Sequence, residues 1–249
     1  MPARFQLEPI TPTPIRPVRR PVMLQGWYNL TSLHWPYPPD QVQALLPAGY
    51  TVDTFDGKAW MGLIPFHMRR IRIPGLPAFG PLSTFPETNI RTYIVDPDGR
   101  RAVWFHSLDI TRMIPTLVAR VAYQLPYCWA RMSIDDDGSV VTYRSERRWP
   151  KATAGACSVV SVRRGQMIAA SDVTDLEHFL TARWALGTTL GKRLMWADVD
   201  HPAWPLQRAE VLHWDQTLLH AAGLPAPVGE PVALHSPGVE VRIGLPDPL

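Results

Sequence analysis

Cysteine and lysine are scarce in this chain of 249 residues. The two cysteines, Cys128 and Cys157, have no metal-type spacing. We therefore expect a reduced, cytoplasmic protein with two free thiols. Lysine occurs only at Lys58, Lys151 and Lys192, so arginine carries nearly all of the positive charge. Lys58 lies in a tight turn, Lys151 in a loop, and Lys192 directly before Arg193, and each context is typical of an exposed surface lysine.

Several other absences exclude whole classes of function. No apolar run approaches the roughly 20 residues of a membrane helix, and the start lacks an apolar signal core, so no membrane partner is expected. The net charge of +3 is too small and too dispersed to indicate a nucleic-acid partner. Glycine-rich phosphate loops, a Gly-x-Ser-x-Gly elbow and paired-histidine motifs are all missing. We expect neither a metal nor a cofactor.

Proline and short strand patterns dominate what is present. The 27 prolines argue against a largely helical protein, and many short strands alternate with turn signals without a βαβ rhythm. The pattern predicts an α+β, mainly β fold, with a mostly antiparallel, barrel-like or cone-like sheet and a few outer helices. Residues 1–22 are rich in proline and arginine and predict a flexible or extended arm. Residues 23–249 are predicted to form a single domain.

Four helices are predicted from capping and apolar periodicity. The clearest signal is the capping box that begins at Thr174, whose helix is predicted to run through Trp184 to Gly187. The other predicted helices are Gln41 to Leu46, Ile114 to Gln124 and Thr217 to Ala222.

A polar row lies on the predicted strand from Phe85 to Tyr93. Side chains on a strand alternate between its two faces, so Glu87, Asn89, Arg91 and Tyr93 share one face. If this face is directed inward, it forms a binding or catalytic site, because buried polar groups need partners. If it is directed outward, it is an ordinary solvated strand face. Periodicity does not choose between the two.

The next predicted strand, Ala102 to Ile110, places Asp109 near Glu87 across the Asp98-Gly99 turn. Two carboxylates and the Arg91 guanidinium would then share one pocket and have shifted pKa values. Tyr127 could add a hydroxyl donor, and His34 and His106 could meet in space. The alternative is a buried ion-pair network that holds the sheet in register.

Four blocks of residues occur in a characteristic order: Asp53 to Leu63, Phe85 to Tyr93, Phe105 to Asp109, and Leu125 to Tyr127. Together they resemble the YqjF-like bacterial family of unknown function within the acetoacetate decarboxylase-like superfamily. The resemblance covers about Trp27 to Gly244 and implies a closed antiparallel β-cone around a central cavity, with Glu87 directed inward.

The same resemblance bears on the chemistry. Acetoacetate decarboxylases use a lysine pair, and Tyr127 and Cys128 stand where those lysines would be. Glu87 can match the glutamate on the inward strand of that superfamily. Without an amine there is no Schiff base, so acetoacetate decarboxylase activity is not expected.

Three hypotheses follow. The first is an enzyme with lyase- or hydrolase-like acid/base chemistry on a small carboxylic or keto acid. Its catalytic residues would be Glu87, Asp109 and Tyr127, and its substrate-binding residues Asn89, Arg91, His34 and His106. The second is a non-catalytic module that binds a small-molecule ligand in the same cavity. The third is a purely structural protein, and assembly as a homo-oligomer stays open.

Overall fold

The computed structural model describes residues 6–111 and 125–249, and within them the chain is mainly β. Three α-helices lie in the described part: α1 Pro39–Gln43, α2 Asp175–Thr181 and α3 Leu218–Ala221. The strands are β1 Met23–Tyr37, β2 Thr51–Val52, β3 Thr54–Phe55, β4 Lys58–Arg72, β5 Phe85–Val95, β6 Arg101–Ile110, β7 Tyr127–Asp136, β8 Val140–Trp149, β9 Cys157–Met167, β10 Ala185–Leu190, β11 Arg193–Asp200, β12 Gln207–Gln216, β13 Val232–Ile243 and β14 Asp247–Pro248.

The strands form one curled sheet whose pairings close into two rings. One ring runs β6-β7-β8-β9-β12-β13-β1-β4-β5 and returns to β6, and the other runs β13-β1-β4-β5-β6-β10-β11 and returns to β13. The mostly antiparallel, closed arrangement is therefore confirmed. Two pairings, β6 with β7 and β6 with β10, are parallel. Each joins strands separated by long connections, which a parallel pair requires.

Strands β13, β1, β4, β5 and β6 belong to both rings and form a shared wall. One face of this wall packs on an apolar core that includes Leu33, Leu63 and Ile90. The other face bounds a cavity. Because both faces are covered, β4 has no clean alternation, and residues 59–66 are buried without a break.

Helix α2 begins where the capping box predicts and ends earlier than expected. Thr174 Oγ1 accepts a hydrogen bond from the Glu177 amide, and the Glu177 carboxylate accepts one from the Thr174 amide. The helix ends at Thr181, so the predicted extension to Gly187 is wrong. Gly187 lies inside β10, where an added Cβ would stand 2.5 Å from Ile94 Cδ1. Its role is to allow close approach, not to end a helix.

The remaining helix predictions have mixed outcomes. Helix α1 begins two residues before the predicted Gln41 and ends at Gln43, and α3 lies within the predicted range. The predicted helix from Ile114 to Gln124 lies outside the described residues. No helix in the described ranges is long and apolar enough to cross a membrane.

Residues 6–22 contain bends and no helix or strand, and they lie against the sheet. The Glu8 amide donates to the Gly99 carbonyl at 2.9 Å, and Trp184 Nε1 donates to the Thr11 carbonyl at 3.0 Å. Val18 is buried. Proline prevents this segment from pairing with itself, so its polar groups and apolar side chains find partners on the domain. The described part of this segment therefore packs on the domain.

Candidate functional site

A cavity of about 80 Å³ lies within the ring that contains β10 and β11. Its wall is mostly apolar, with a small number of polar side chains from several strands and loops, which is the usual composition of a small-molecule site. The polar row on β5 is directed inward, as in the first of the two alternatives. The polar lining residues are Gln25, Trp27, Glu87, Asn89, Arg91, Tyr127, Thr181, Arg183, His201 and Trp204.

Glu87 is a buried acid on this wall. Burial raises its pKa to about 8, the nearby Asp109 charge adds to the rise, and a hydrogen bond with the Asn89 side chain opposes it. The carboxyl is therefore protonated at neutral pH. Its Oε2 atom, like Asn89 Oδ1, is buried without a hydrogen-bond partner in the described part of the chain.

Arg91 lies further along the same face. Its Nη2 donates to the Leu180 carbonyl at 3.2 Å, near the C-terminal end of α2, and approaches the Tyr93 hydroxyl at 3.5 Å. Its Nε is buried and lacks an acceptor among the described residues. The recorded partners of this guanidinium are neutral, and Glu87 is not among them. Glu87 and Arg91 therefore do not form an ion pair with each other.

Behind Arg91, a buried hydrogen-bond chain links Tyr93 to His34. The Tyr93 hydroxyl donates to the Leu180 carbonyl at 2.6 Å, so its contact of 2.7 Å with His34 Nε2 requires a proton on that nitrogen. Gly62 makes room for the ring, since a Cβ there would stand 2.8 Å from His34 Nε2. His34 does not line the cavity, so the structure does not bring it together with the other expected substrate-binding residues.

Asp109 does not line the cavity either. A β-bulge is the reason: Ile90 pairs with Ser107 but Arg91 pairs with Phe105, so His106 is an extra residue in β6. Phe105 lines the cavity before the bulge and Leu108 lines it beyond the bulge, so Asp109 lies on the opposite face. There the Asp109 carboxylate accepts hydrogen bonds from Arg147 Nε and Nη2, the shortest at 2.6 Å. Asp109 therefore belongs to a buried ion pair, as in the second alternative, but its partner is Arg147 and not Arg91.

His106 and Tyr127 complete the predicted set. His106 is half-buried in a separate depression beside Trp104 and Pro126, and desolvation of its ring lowers its pKa to about 4. It does not line the cavity, so its role in contacting a substrate stays a prediction. Tyr127, the first residue of β7, does line the cavity, and the neighbouring Cys128 is buried without lining it.

Sequence reasoning missed His201. It follows β11, and its Nδ1 donates to the Pro202 carbonyl at 2.7 Å, which leaves Nε2 as an acceptor. Burial lowers its pKa to about 4, so the ring is neutral at pH 7. It lies against the rings of Trp184 and Trp204, at 4.5 and 5.0 Å. A single histidine before a proline carries no motif, so the sequence holds no signal for it.

Sequence reasoning also missed Arg183. Its guanidinium is buried, approaches Asp53 Oδ2 to 2.9 Å, and lies 4.4 Å from the Phe179 ring and 4.7 Å from the Tyr93 ring. Burial lowers its pKa to about 10, although Asp53 opposes the shift. Asp53 is shared with Arg101, so one carboxylate serves two guanidinium groups. The predicted helix through Trp184 concealed this position.

The three lysines lie outside the cavity wall. Lys58 begins a strand, Lys151 begins a short 3-10 helix and Lys192 lies in a turn, and all three are exposed, as their sequence contexts indicate. Within the described ranges, histidine, cysteine and acidic side chains form no group of three that could hold a metal ion.

The fold and the cavity define the class to which the molecule belongs, that of proteins with the acetoacetate decarboxylase-like fold. An acetoacetate decarboxylase-like enzyme from Sphingomonas wittichii RW1 superposes with a TM-score of 0.61 at 14% identity, covering 92% of each chain. The acetoacetate decarboxylase from Legionella pneumophila gives 0.61 at 12% identity, covering 100% of this chain and 92% of that one. The enduracididine biosynthesis enzyme MppR, in complex with pyruvate, gives 0.61 at 14% identity, covering 94% and 91%.

The chain belongs to the DUF2071 family of uncharacterized conserved proteins, whose model matches residues 24–240. It is 32% identical over 211 residues to the uncharacterized protein YqjF of Bacillus subtilis, covering 85% of this chain and 86% of that protein. The resemblance found in the sequence blocks is therefore confirmed. At 12–14% identity the solved structures establish the fold alone.

Proposed function

We propose that this protein binds or converts a small carboxylic or keto acid in the cavity by acid/base chemistry that uses no Schiff-base lysine. The observation that carries the proposal is the convergence of buried polar atoms without partners on one small space. Glu87 Oε2, Asn89 Oδ1 and Arg91 Nε are all of this kind within the described chain. Unpaired buried polar groups are costly, so a ligand that pairs with them is favoured.

Arg91 is the group that would hold the acid. A guanidinium presents its N–H donors in a planar fork that matches a carboxylate. The recorded partners of Arg91 are a carbonyl and a phenol, both neutral, so its charge is not offset by a contact with a carboxylate in the described chain. A carboxylate bound at Nε would supply both the missing acceptor and the missing negative charge.

Glu87 would act on the reacting part of the ligand. With its pKa raised to about 8, the carboxyl carries a proton at neutral pH and can donate it to a carbonyl oxygen or to a carbanion as it forms. Tyr127 would be a second hydroxyl group near that carbonyl. His201, neutral with Nε2 as an acceptor, would take a hydrogen bond from a ligand hydroxyl or water.

A non-catalytic binding module is the second candidate, favoured by the absence of lysine from the cavity wall. Without an amine, the electron sink used by the decarboxylating relatives of this fold is missing. The two candidates differ in whether the bound acid is converted to a product. Proton NMR of a small keto acid, incubated with wild type and with Glu87→Gln, should show product only with wild type if the protein is an enzyme. Binding without product in both proteins would indicate a binding module.

The shared part of the proposal is tested by thermal shift with a panel of small carboxylic and keto acids. A ligand at a hundred times its Kd should raise Tm by on the order of 5–10 °C in a protein of this size. Arg91→Gln should lose the shift, whereas Arg131→Gln, at an exposed position on β7, should retain it. No shift with any acid, or an equal shift in Arg91→Gln, would remove the acid-holding role.

A further inference from the structure

A second, larger space of about 320 Å³, here called the outer groove, lies beside the cavity. Its walls come from the segment after β9, from α2 and the residues that follow it, from the segment between β11 and β12, and from the N-terminal segment. Most of its lining is apolar, including Ile168, Ala170, Val173, Ala203, Leu206 and Pro12. Among the described residues, the side chains that line the outer groove therefore include no Asp, Glu, Lys or Arg. His178 is the one titratable side chain among them.

The outer groove and the cavity meet at two residues. Thr181 and Trp204 line both spaces. The Thr181 hydroxyl donates a hydrogen bond to the Glu177 carbonyl at 2.6 Å, so its proton does not need an acceptor from a ligand at the boundary. Trp204 lies in an irregular segment and stacks on Trp27, with ring centroids 6.1 Å apart and an interplanar angle of 15°.

The acid-holding end of the cavity lies next to this boundary. Arg91 Nη2 donates to the carbonyl of Leu180, the residue that immediately precedes Thr181. Arg91 therefore contacts the residue next to one that lines both spaces. The cavity is also much smaller than the outer groove, so an acid held at Arg91 fills the first space with its head and has apolar surface within reach.

We infer that the ligand is an acid with an apolar tail, which passes Thr181 and Trp204 and lies in the outer groove. The inference rests on the proposed function, because the head of this ligand is the acid that Arg91 would hold. It also gives the N-terminal segment a role. Trp184 Nε1 donates a hydrogen bond to the Thr11 carbonyl at 3.0 Å, and this contact positions Pro12 as part of the groove wall.

Isothermal titration with straight-chain carboxylic acids from acetate to octanoate tests the inference. Once the chain is long enough to pass Thr181, each added methylene should tighten binding by about fourfold, the value expected for burying one such group. Ala203→Phe places a ring in the outer groove and should abolish this dependence on length while leaving the affinity for acetate unchanged. Ala152→Phe, at an exposed alanine outside both spaces, should change neither.

Two variants keep the result unambiguous. Ala170→Phe fills the outer groove from its opposite wall and replaces Ala203→Phe if that variant does not fold. Arg91→Gln should weaken short and long acids alike, which separates the site from adsorption of long chains on apolar surface. If affinity does not change with chain length, or if the length dependence remains in both groove-filling variants, the inference of an apolar tail in the outer groove is wrong. The proposed function would not be affected by that result. Absence of binding by acids of every length would overturn both.

Discussion

Glu87 makes the stability of this protein depend on pH in a defined way. Its pKa is about 8 in the folded protein, against 4.5 for an ordinary glutamate, because it is buried. Between these values the folded state holds a proton that the unfolded state has released, so stability falls as pH rises from 4.5 to 8. Each pH unit in this window changes the folding equilibrium by about tenfold, which gives about 3 kcal/mol between pH 5 and pH 7.

Glu87→Gln removes this dependence, because a neutral amide resembles the protonated acid at every pH. Urea denaturation at pH 5, 6 and 7 should show the variant gaining on wild type by about 3 kcal/mol over the range. Other titrating groups are common to both proteins and cancel in the difference. Glu210→Gln, at an exposed glutamate on β12, serves as the control and should run parallel to wild type. Parallel curves for Glu87→Gln would refute the raised pKa.

Three further outcomes are expected. Arg147→Ala leaves the Asp109 carboxylate buried and unpaired, so urea denaturation should show a loss of about 3–5 kcal/mol, while acid binding by the folded protein should not change; a loss under 1 kcal/mol would contradict the pair. Gly187→Ala should destabilise by about 1–3 kcal/mol, because its Cβ would stand 2.5 Å from Ile94, and an unchanged denaturation midpoint would show that this strand has room. Borohydride reduction in the presence of pyruvate should leave the mass unchanged, since no lysine lines the cavity; an adduct on any lysine would reverse the view that Schiff-base chemistry is absent.

Local patterns predicted what depends on a single strand or a single helix end. The alternation from Glu87 to Arg91 predicted a shared face, and the capping box at Thr174 predicted where α2 begins. Both depend on neighbouring residues in the chain, so periodicity and capping chemistry suffice. The inward direction of the β5 row became an expectation only through the family resemblance.

Features that depend on pairing between strands could not be predicted from local sequence patterns. The bulge at His106 exists only in the register of β5 against β6, and it is what turns Asp109 away from Glu87. A glycine such as Gly187 fits equally well at the end of a helix and in a strand that packs closely against its neighbour. His201 joins the site because β11 closes the ring with β13, which is a long-range contact without a local motif.

The central claim is that Arg91 holds an acid in the cavity beside a protonated Glu87. The most direct measurement is a crystal structure of the wild-type protein with a small keto acid at saturating concentration near pH 6.5. We expect the carboxylate within hydrogen-bond distance of Arg91 Nε and the keto oxygen on the side of Glu87. A cavity that stays without the acid at saturation, or an acid bound away from Arg91, would contradict the account.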